Sequence, residues 1–260
     1  MADIVNPIGP GFLTSQTADP GLTSKLWRGI DRSVGTVDPM TGFFHVERGQ
    51  GGVGAFTSTQ ATAGTALFIA SPTTGIGSVL ELDCNSTTNT QGIQVQYPGL
   101  GVNPKDGMII CWETMLQGKD IGTAPEFFAG MATLDTTLIA SGSISAADWI
   151  GFLDTAGGAT CVPKFGVEDG SQDISATTAT TLVDGDVTTD GTAWVRLGFR
   201  WEVGTKLEAY VNGAMIDTSD VAESNAPDGA IVCSYVCQSN GTTDPIVLVA
   251  YTAFGYTQIR

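Results

Sequence analysis

From residue 42 onward, apolar residues come in short runs at period two, divided by Gly, Thr, Ser, Asn and Asp. This is the pattern of half-buried strands separated by turns. It predicts about thirteen strands, near 43–47, 66–70, 79–82, 93–97, 108–116, 127–132, 149–153, 160–167, 180–183, 194–203, 206–211, 231–237 and 246–257. No window keeps an i, i+3, i+4, i+7 stripe over three turns, so the class is all-β. Even strand spacing points to an antiparallel β-sandwich or jelly roll.

The clearest stretch is 194–212. Val195, Leu197, Phe199, Trp201 and Val203 share one face and are expected to look into the core. Arg196, Arg200 and Glu202 share the other, read as wet. Gly204-Thr205 reverses the chain. Leu207, Ala209 and Val211 then alternate with Lys206, Glu208 and Tyr210, and Asn212-Gly213 is a strong hairpin signal into a third strand at 214–216. Segments 108–116 and 246–255 carry bulk on both faces and read as central strands.

Residues 1–25 behave differently. Pro7, Pro10 and Pro20 each remove a backbone donor, Gly is frequent, and no period holds. The expected organisation is an extended N-terminal arm over 1–25 and one β-sandwich over 26–260. Ile4, Val5, Ile8, Phe12 and Leu13 are costly to leave in water, so the arm is expected to dock on a partner through them.

Composition narrows the partners. Charged residues are only 15% of 260, with Lys plus Arg 11 against Asp plus Glu 27 and a net charge of −16. That disfavours a nucleic-acid groove and an anionic membrane surface alike. The first Lys is Lys25 and no apolar h-region precedes it, which predicts synthesis and retention in a cytoplasm. Five cysteines, Cys84, Cys111, Cys161, Cys233 and Cys237, with no CxxC, read as buried reduced thiols.

The run Ala193-Trp194-Val195-Arg196-Leu197-Gly198-Phe199-Arg200-Trp201, then Gly204 and Leu207-Glu208-Ala209-Tyr210-Val211-Asn212-Gly213, resembles the laminin-G and concanavalin A-like jelly rolls. In those, a Trp-led strand and a turn precede a strand ending in aromatic-Val-Asn-Gly. The resemblance implies a concanavalin A-like jelly roll, a scaffold that hosts lectins, glycosidases and structural modules. Low charge, abundant Gly and Thr, acidity and the arm also resemble structural proteins of tailed-bacteriophage virions. That likeness implies a capsid decoration, or cement, protein on the virion capsid surface. It would be a homo-oligomer, commonly a trimer, bound to the major capsid protein. The alternative is a glycan-binding, lectin-like module on a virion surface or fibre.

Candidate chemistry is sparse. Glu81 and Asp83 alternate onto one strand face as in the Glu-x-Asp-x-x-Glu motif of laminarinase-type glycosidases, but position 86 is Ser86 where the general acid/base belongs. A non-enzymatic protein is therefore expected, with no cofactor. The loop Asp184, Asp186, Asp190 offers oxygens of the kind calcium takes, and laminin-G domains often hold one such ion, although Thr188 breaks EF-hand spacing. Trp27 and Trp194 are expected to be the exposed tryptophans available for sugar stacking. His45 stands alone and reads as a strand residue.

Overall fold

The computed structural model describes residues 26–27, 43–48, 56–61, 63–70, 78–88, 91–119, 121, 126–135, 139–140, 143–144, 148–155, 161–169, 172–180, 182, 194–241 and 244–257. Among these the chain forms seventeen strands and one short 3-10 turn at Glu223–Asn225. Two antiparallel sheets face each other.

The eight-stranded sheet runs in the order β15(Ala214–Ile216), β14(Lys206–Val211), β13(Val195–Glu202), β6(Ile109–Lys119), β17(Ile246–Tyr256), β4(Ser78–Asp83) and β3(Thr65–Ala70), with β1(Phe43–Arg48) also paired to β17. The seven-stranded sheet runs β12(Gln172–Thr178), β11(Lys164–Glu168), β10(Trp149–Thr155), β7(Glu126–Thr133), β16(Ile231–Gln238), β5(Gly92–Val102) and β2(Thr57–Ala61). A separate hairpin joins β8(Ile139–Ala140) to β9(Ser143–Ile144).

The core lies between the sheets. Val195, Leu197, Phe199, Trp201, Leu207 and Val211 all belong to it, so the alternation around Gly204 sets the register as the pattern predicts. Trp112 stacks on Phe199 with ring centroids 5.7 Å apart, and Phe199 meets Phe165 from the opposite sheet at 6.2 Å. Tyr235 brings a hydroxyl into this apolar layer. Burial pushes that phenol well up, and its oxygen is shared with Thr114 and Thr252 at 2.9 and 2.5 Å. The Asn212-Gly213 turn has positive φ at both residues, +48 and +84, the geometry of a two-residue hairpin that matches strand twist.

Four sequence expectations are corrected. Strands β2 and β12 were not foreseen, because TSTQA and QDISATT lack an apolar face. The 160–167 strand starts only at Lys164, since Pro163 has no N–H to give the ladder. Cys161 is left in an isolated bridge to Leu182, and the expected 180–183 strand reduces to that bridge. The face of β13 and β14 read as wet is covered in part, with Arg200 4% and Glu208 5% exposed. The cause is the Leu26–Trp27 segment, which lies on this side: the Leu26 carbonyl accepts from Cys111 Sγ at 3.2 Å, and Arg200 Nη1 stands 4.0 Å from the same sulfur. Arg200 and Glu208 are neutralised in ion pairs, Arg200–Glu202 at 2.8 Å and Lys206–Glu208 at 2.7 Å.

All five cysteines are buried with free thiols, and Cys84 and Cys237 approach to 3.4 Å between sulfurs. Burial pushes the Cys233 thiol up. For Cys161 burial leads and nearby Asp154 adds to it, and for Cys237 the Cys84 thiol leads and burial follows, so these thiols stay protonated.

Candidate functional site

The outer face of the seven-stranded sheet holds the most unusual chemistry in the described chain. Strand alternation sends Phe127, Tyr235 and Cys237 into the core, so their neighbours Glu126, Phe128, Val236 and Gln238 point outward. Register then builds four rungs across this face. The first joins Gly92, Gln238, Glu126 and Thr155, and the second Thr59, Gln94, Val236, Phe128, Leu153 and Lys164. The third joins Thr57, Gln96, Ser234, Gly130, Gly151, Gly166 and Ile174, and the fourth Val232, Ala132, Trp149, Glu168 and Gln172.

The middle of this face packs on itself. Gly130, Gly151 and Gly166 lie side by side on three strands, which makes a flat strip. A Cβ on Gly151 would meet Phe128 Cε2 at 3.1 Å, and one on Gly166 would meet Trp149 Cη2 at 3.0 Å. The two rings lie across the glycines, edge to face, with centroids 5.5 Å apart. Trp149 Nε1 donates to Glu168 Oε2 at 2.6 Å. Burial, with some help from Asp148, holds the Glu168 carboxyl above its ordinary value despite that hydrogen bond.

Gln94 and Gln96 fasten the chain that follows β7. Gln94 Nε2 donates to Asp135 O, Gln96 Nε2 donates to Thr133 O at 2.9 Å and to Ser234 Oγ at 3.0 Å, and Gln96 Oε1 accepts from Asp135 N at 3.0 Å. Glu126 and Gln238 differ. Gln238 is 0% and Glu126 7% exposed, yet Glu126 Oε2 and both amide atoms of Gln238 have no hydrogen-bond partner. Burial pushes the Glu126 carboxyl up to about 7.

At the opposite end of the face, Asp148, Asp169 and Asp228 each bring a carboxylate oxygen within 4.8 Å of the others. Burial, then the charges of Asp169 and Asp228, raise the Asp148 carboxyl. Among the described residues these three are the ones whose oxygens could hold a hard cation.

The residues singled out from sequence are not gathered here. Trp27 is 1% exposed and donates Nε1 to Glu113 Oε2 at 2.6 Å, so it is no stacking platform. Trp194 is half-buried against the outer face of the eight-stranded sheet. Asp184, Asp186 and Asp190, and the arm residues Ile4, Val5, Ile8, Phe12 and Leu13, lie outside the described residues. Glu81 and Asp83 do share one strand, β4, of the eight-stranded sheet. Burial and the charge of Asp83 raise Glu81, while burial and Asp244 raise Asp83 against an opposing hydrogen bond from Asn85 N. Ser86 donates its N–H to Asp244 Oδ1 and supplies no third carboxyl. His45 is on β1. Sequence reasoning missed Glu126, Gln238, Asp148 and Glu168. The Gln94-x-Gln96 alternation was the one readable signal on this face.

No protein-family model and no curated protein sequence matches the chain. Solved structures do. A protein of unknown function from Shewanella oneidensis MR-1 aligns with TM-score 0.54 and 11% identity, covering 92% of this chain and 96% of its own. Peanut lectin aligns with TM-score 0.53 and 17% identity, covering 84% and 99%. Lectin I from Ulex europaeus, solved with the methyl glycoside of α-L-fucose, aligns with TM-score 0.52 and 13% identity, covering 83% and 98%.

The chain has the concanavalin A-like jelly-roll fold.

Within this jelly roll the lectin likeness extends over nearly the whole of the neighbours and stands at the level of fold. Neither the fold nor the neighbours bear on a virion role.

Proposed function

We propose that the protein is a non-enzymatic carbohydrate-binding module of concanavalin A-like fold. The observation that carries this reading is the fold: two facing antiparallel sheets that align over nearly the whole length of peanut lectin and of Lectin I from Ulex europaeus. Lectin neighbours of the same fold, one of them solved with a fucoside, support the reading. A hydrolase is disfavoured by the lack of a third carboxylate after Glu81 and Asp83.

The test is binding of the full chain to a glycan array, followed by titration calorimetry with each hit. Saturable binding of a neutral glycan is expected, and absence of binding across the array overturns the reading. Composition and the N-terminal arm favour attachment of the module to a virion, with the major capsid protein as partner. Co-sedimentation with phage heads at fixed stoichiometry tests that attachment separately.

A further inference from the structure

The geometry points to Cys84 and Cys237 as a site of reversible covalent modification, a disulfide that joins the two sheets when the chain folds in the presence of a small-molecule disulfide. This lies beyond the carbohydrate reading and does not depend on it. Cys84 directly follows β4 of the eight-stranded sheet, and Cys237 lies in β16 of the seven-stranded sheet. They are 153 residues apart in sequence, and Cys84 Sγ donates to Cys237 Sγ at 3.4 Å.

One carbonyl orients both residues. Pro245 O accepts from Cys84 N at 3.2 Å and from Cys237 Sγ at 3.7 Å. Cys237 is also fixed by its strand, paired with Ile93 on one side and Phe127 on the other. The sulfurs meet because two held backbones bring them together, which is the condition a disulfide needs. Both cysteines are 0% exposed. Joining them removes two hydrogens and draws the sulfurs closer, so it adds no atom to the core and needs no cavity. The oxidant acts while the thiols are still in water, before the core closes, and needs no path into the folded chain.

The neighbouring cysteines are placed differently. Cys111 Sγ donates to Leu26 O on the outer side of the eight-stranded sheet. Cys233 is on the same strand as Cys237, four residues and about 13 Å away. Cys161 is tied to Asp154. Two thiols also leave zinc short of its usual four ligands. Among the described residues, the three ligand atoms close enough to share an ion are all aspartate oxygens.

The exchange balances. One cysteine thiolate attacks the small disulfide and releases one small thiol. The other attacks the mixed disulfide and releases the second. The protein loses two S–H bonds and gains one S–S bond. Its two protons end on the released thiols, and two electrons pass to the oxidant. The bond closes a loop of more than 150 residues, which restricts the unfolded chain strongly.

The test refolds the full chain from urea with reduced and oxidised glutathione, then alkylates it and maps its peptides without reduction. A linked pair of peptides carrying Cys84 and Cys237, two hydrogens lighter than the sum of the free ones, is expected. The melting temperature should exceed that of the reduced protein by about 5–10 °C. Cys84→Ala and Cys237→Ala should each abolish that difference between oxidised and reduced forms. Export of the chain to a bacterial periplasm gives the same peptide map without refolding and without a variant. Cys84 and Cys237 both free in the folded protein from either route overturn the proposal, and so does a Cys161–Cys237 link. A Cys84–Cys237 link that lowers the melting temperature overturns it as well, because the folded geometry would then oppose the bond.

Discussion

Trp27 and Glu113 are 86 residues apart in sequence and joined by a 2.6 Å hydrogen bond from indole Nε1 to carboxylate Oε2. The other oxygen of Glu113 accepts from Tyr251 OH at 3.1 Å. Both Trp27 and Glu113 are 1% exposed. The carboxylate thus clamps the start of the described chain onto β6 and β17. Leu26 completes the clamp: it sits over Gly198, where a Cβ would come within 2.5 Å of Leu26 Cδ1. Trp27→Ala removes a fully buried ring and its partner's bond, and should lower stability by about 3–5 kcal/mol. Urea denaturation followed by far-UV circular dichroism measures this. A loss under about 1 kcal/mol would show that the clamp is not formed in solution.

The same clamp gives a deletion experiment. Removing residues 2–25 leaves Leu26 and Trp27 in place, and the sandwich should keep its melting temperature within a few degrees. Removing 2–27 takes the clamp away and should reproduce the Trp27→Ala loss. Equal melting temperatures for the two truncations would contradict the assignment. A collapse of the first would make residues 1–25 part of the folded unit.

How far the sequence showed all this depends on what set each element. The 195–211 register was legible because its apolar face is unbroken, and Phe199 and Trp201 are 0% and 1% exposed as that pattern demands. Strands β2 and β12 were not, and they are the two edges of the seven-stranded sheet. An edge strand needs little apolar surface and leaves a weak pattern. Trp27 was read as exposed because its chain neighbours are polar and Gly-rich, and its partner Glu113 lies on a distant strand. Glu126 and Gln238 meet only through the β7–β16 register, which no local spacing encodes.

The glycine strip makes a steric prediction. A Cβ on Gly151 would stand 2.6 Å from Ala129 O, 2.7 Å from Gly130 Cα and 3.1 Å from the Phe128 ring. Two of those neighbours are backbone and cannot swing aside. Gly151→Ala should therefore cost about 1–3 kcal/mol by overpacking, despite the better strand propensity of Ala. A neutral or stabilising Gly151→Ala, read from denaturant midpoints, would mean that Ala129, Gly130 and the Phe128 ring do not close on Gly151 in this way.

At the acidic end of the face, Asp148 is raised by burial and then by Asp169 and Asp228. A group raised on folding contributes least when it must ionise, so the cluster costs stability at neutral pH and less in acid. Asp228→Asn should raise the melting temperature at pH 7. The gain should shrink in high salt, which screens exposed charges, and shrink again toward pH 3. A gain that ignores both salt and pH would point to a cause other than repulsion.

Glu126 gives the sharpest pH dependence. Burial takes its carboxyl from an ordinary 4.5 to about 7 in the folded chain. Between those two values the folded protein binds a proton that the unfolded chain has released. The protonated carboxyl's contribution is thus fully present below about 4.5, falls as pH rises, and is gone above about 7. Glu126→Gln has no proton to lose, so its stability should lack this component. The difference between variant and wild type should be flat in acid, open in favour of the variant between pH 4.5 and 7, and level off above that. Urea midpoints at half-unit pH steps measure it. A difference that stays constant across that window would place the Glu126 carboxyl in water rather than in the unsatisfied position beside Gln238.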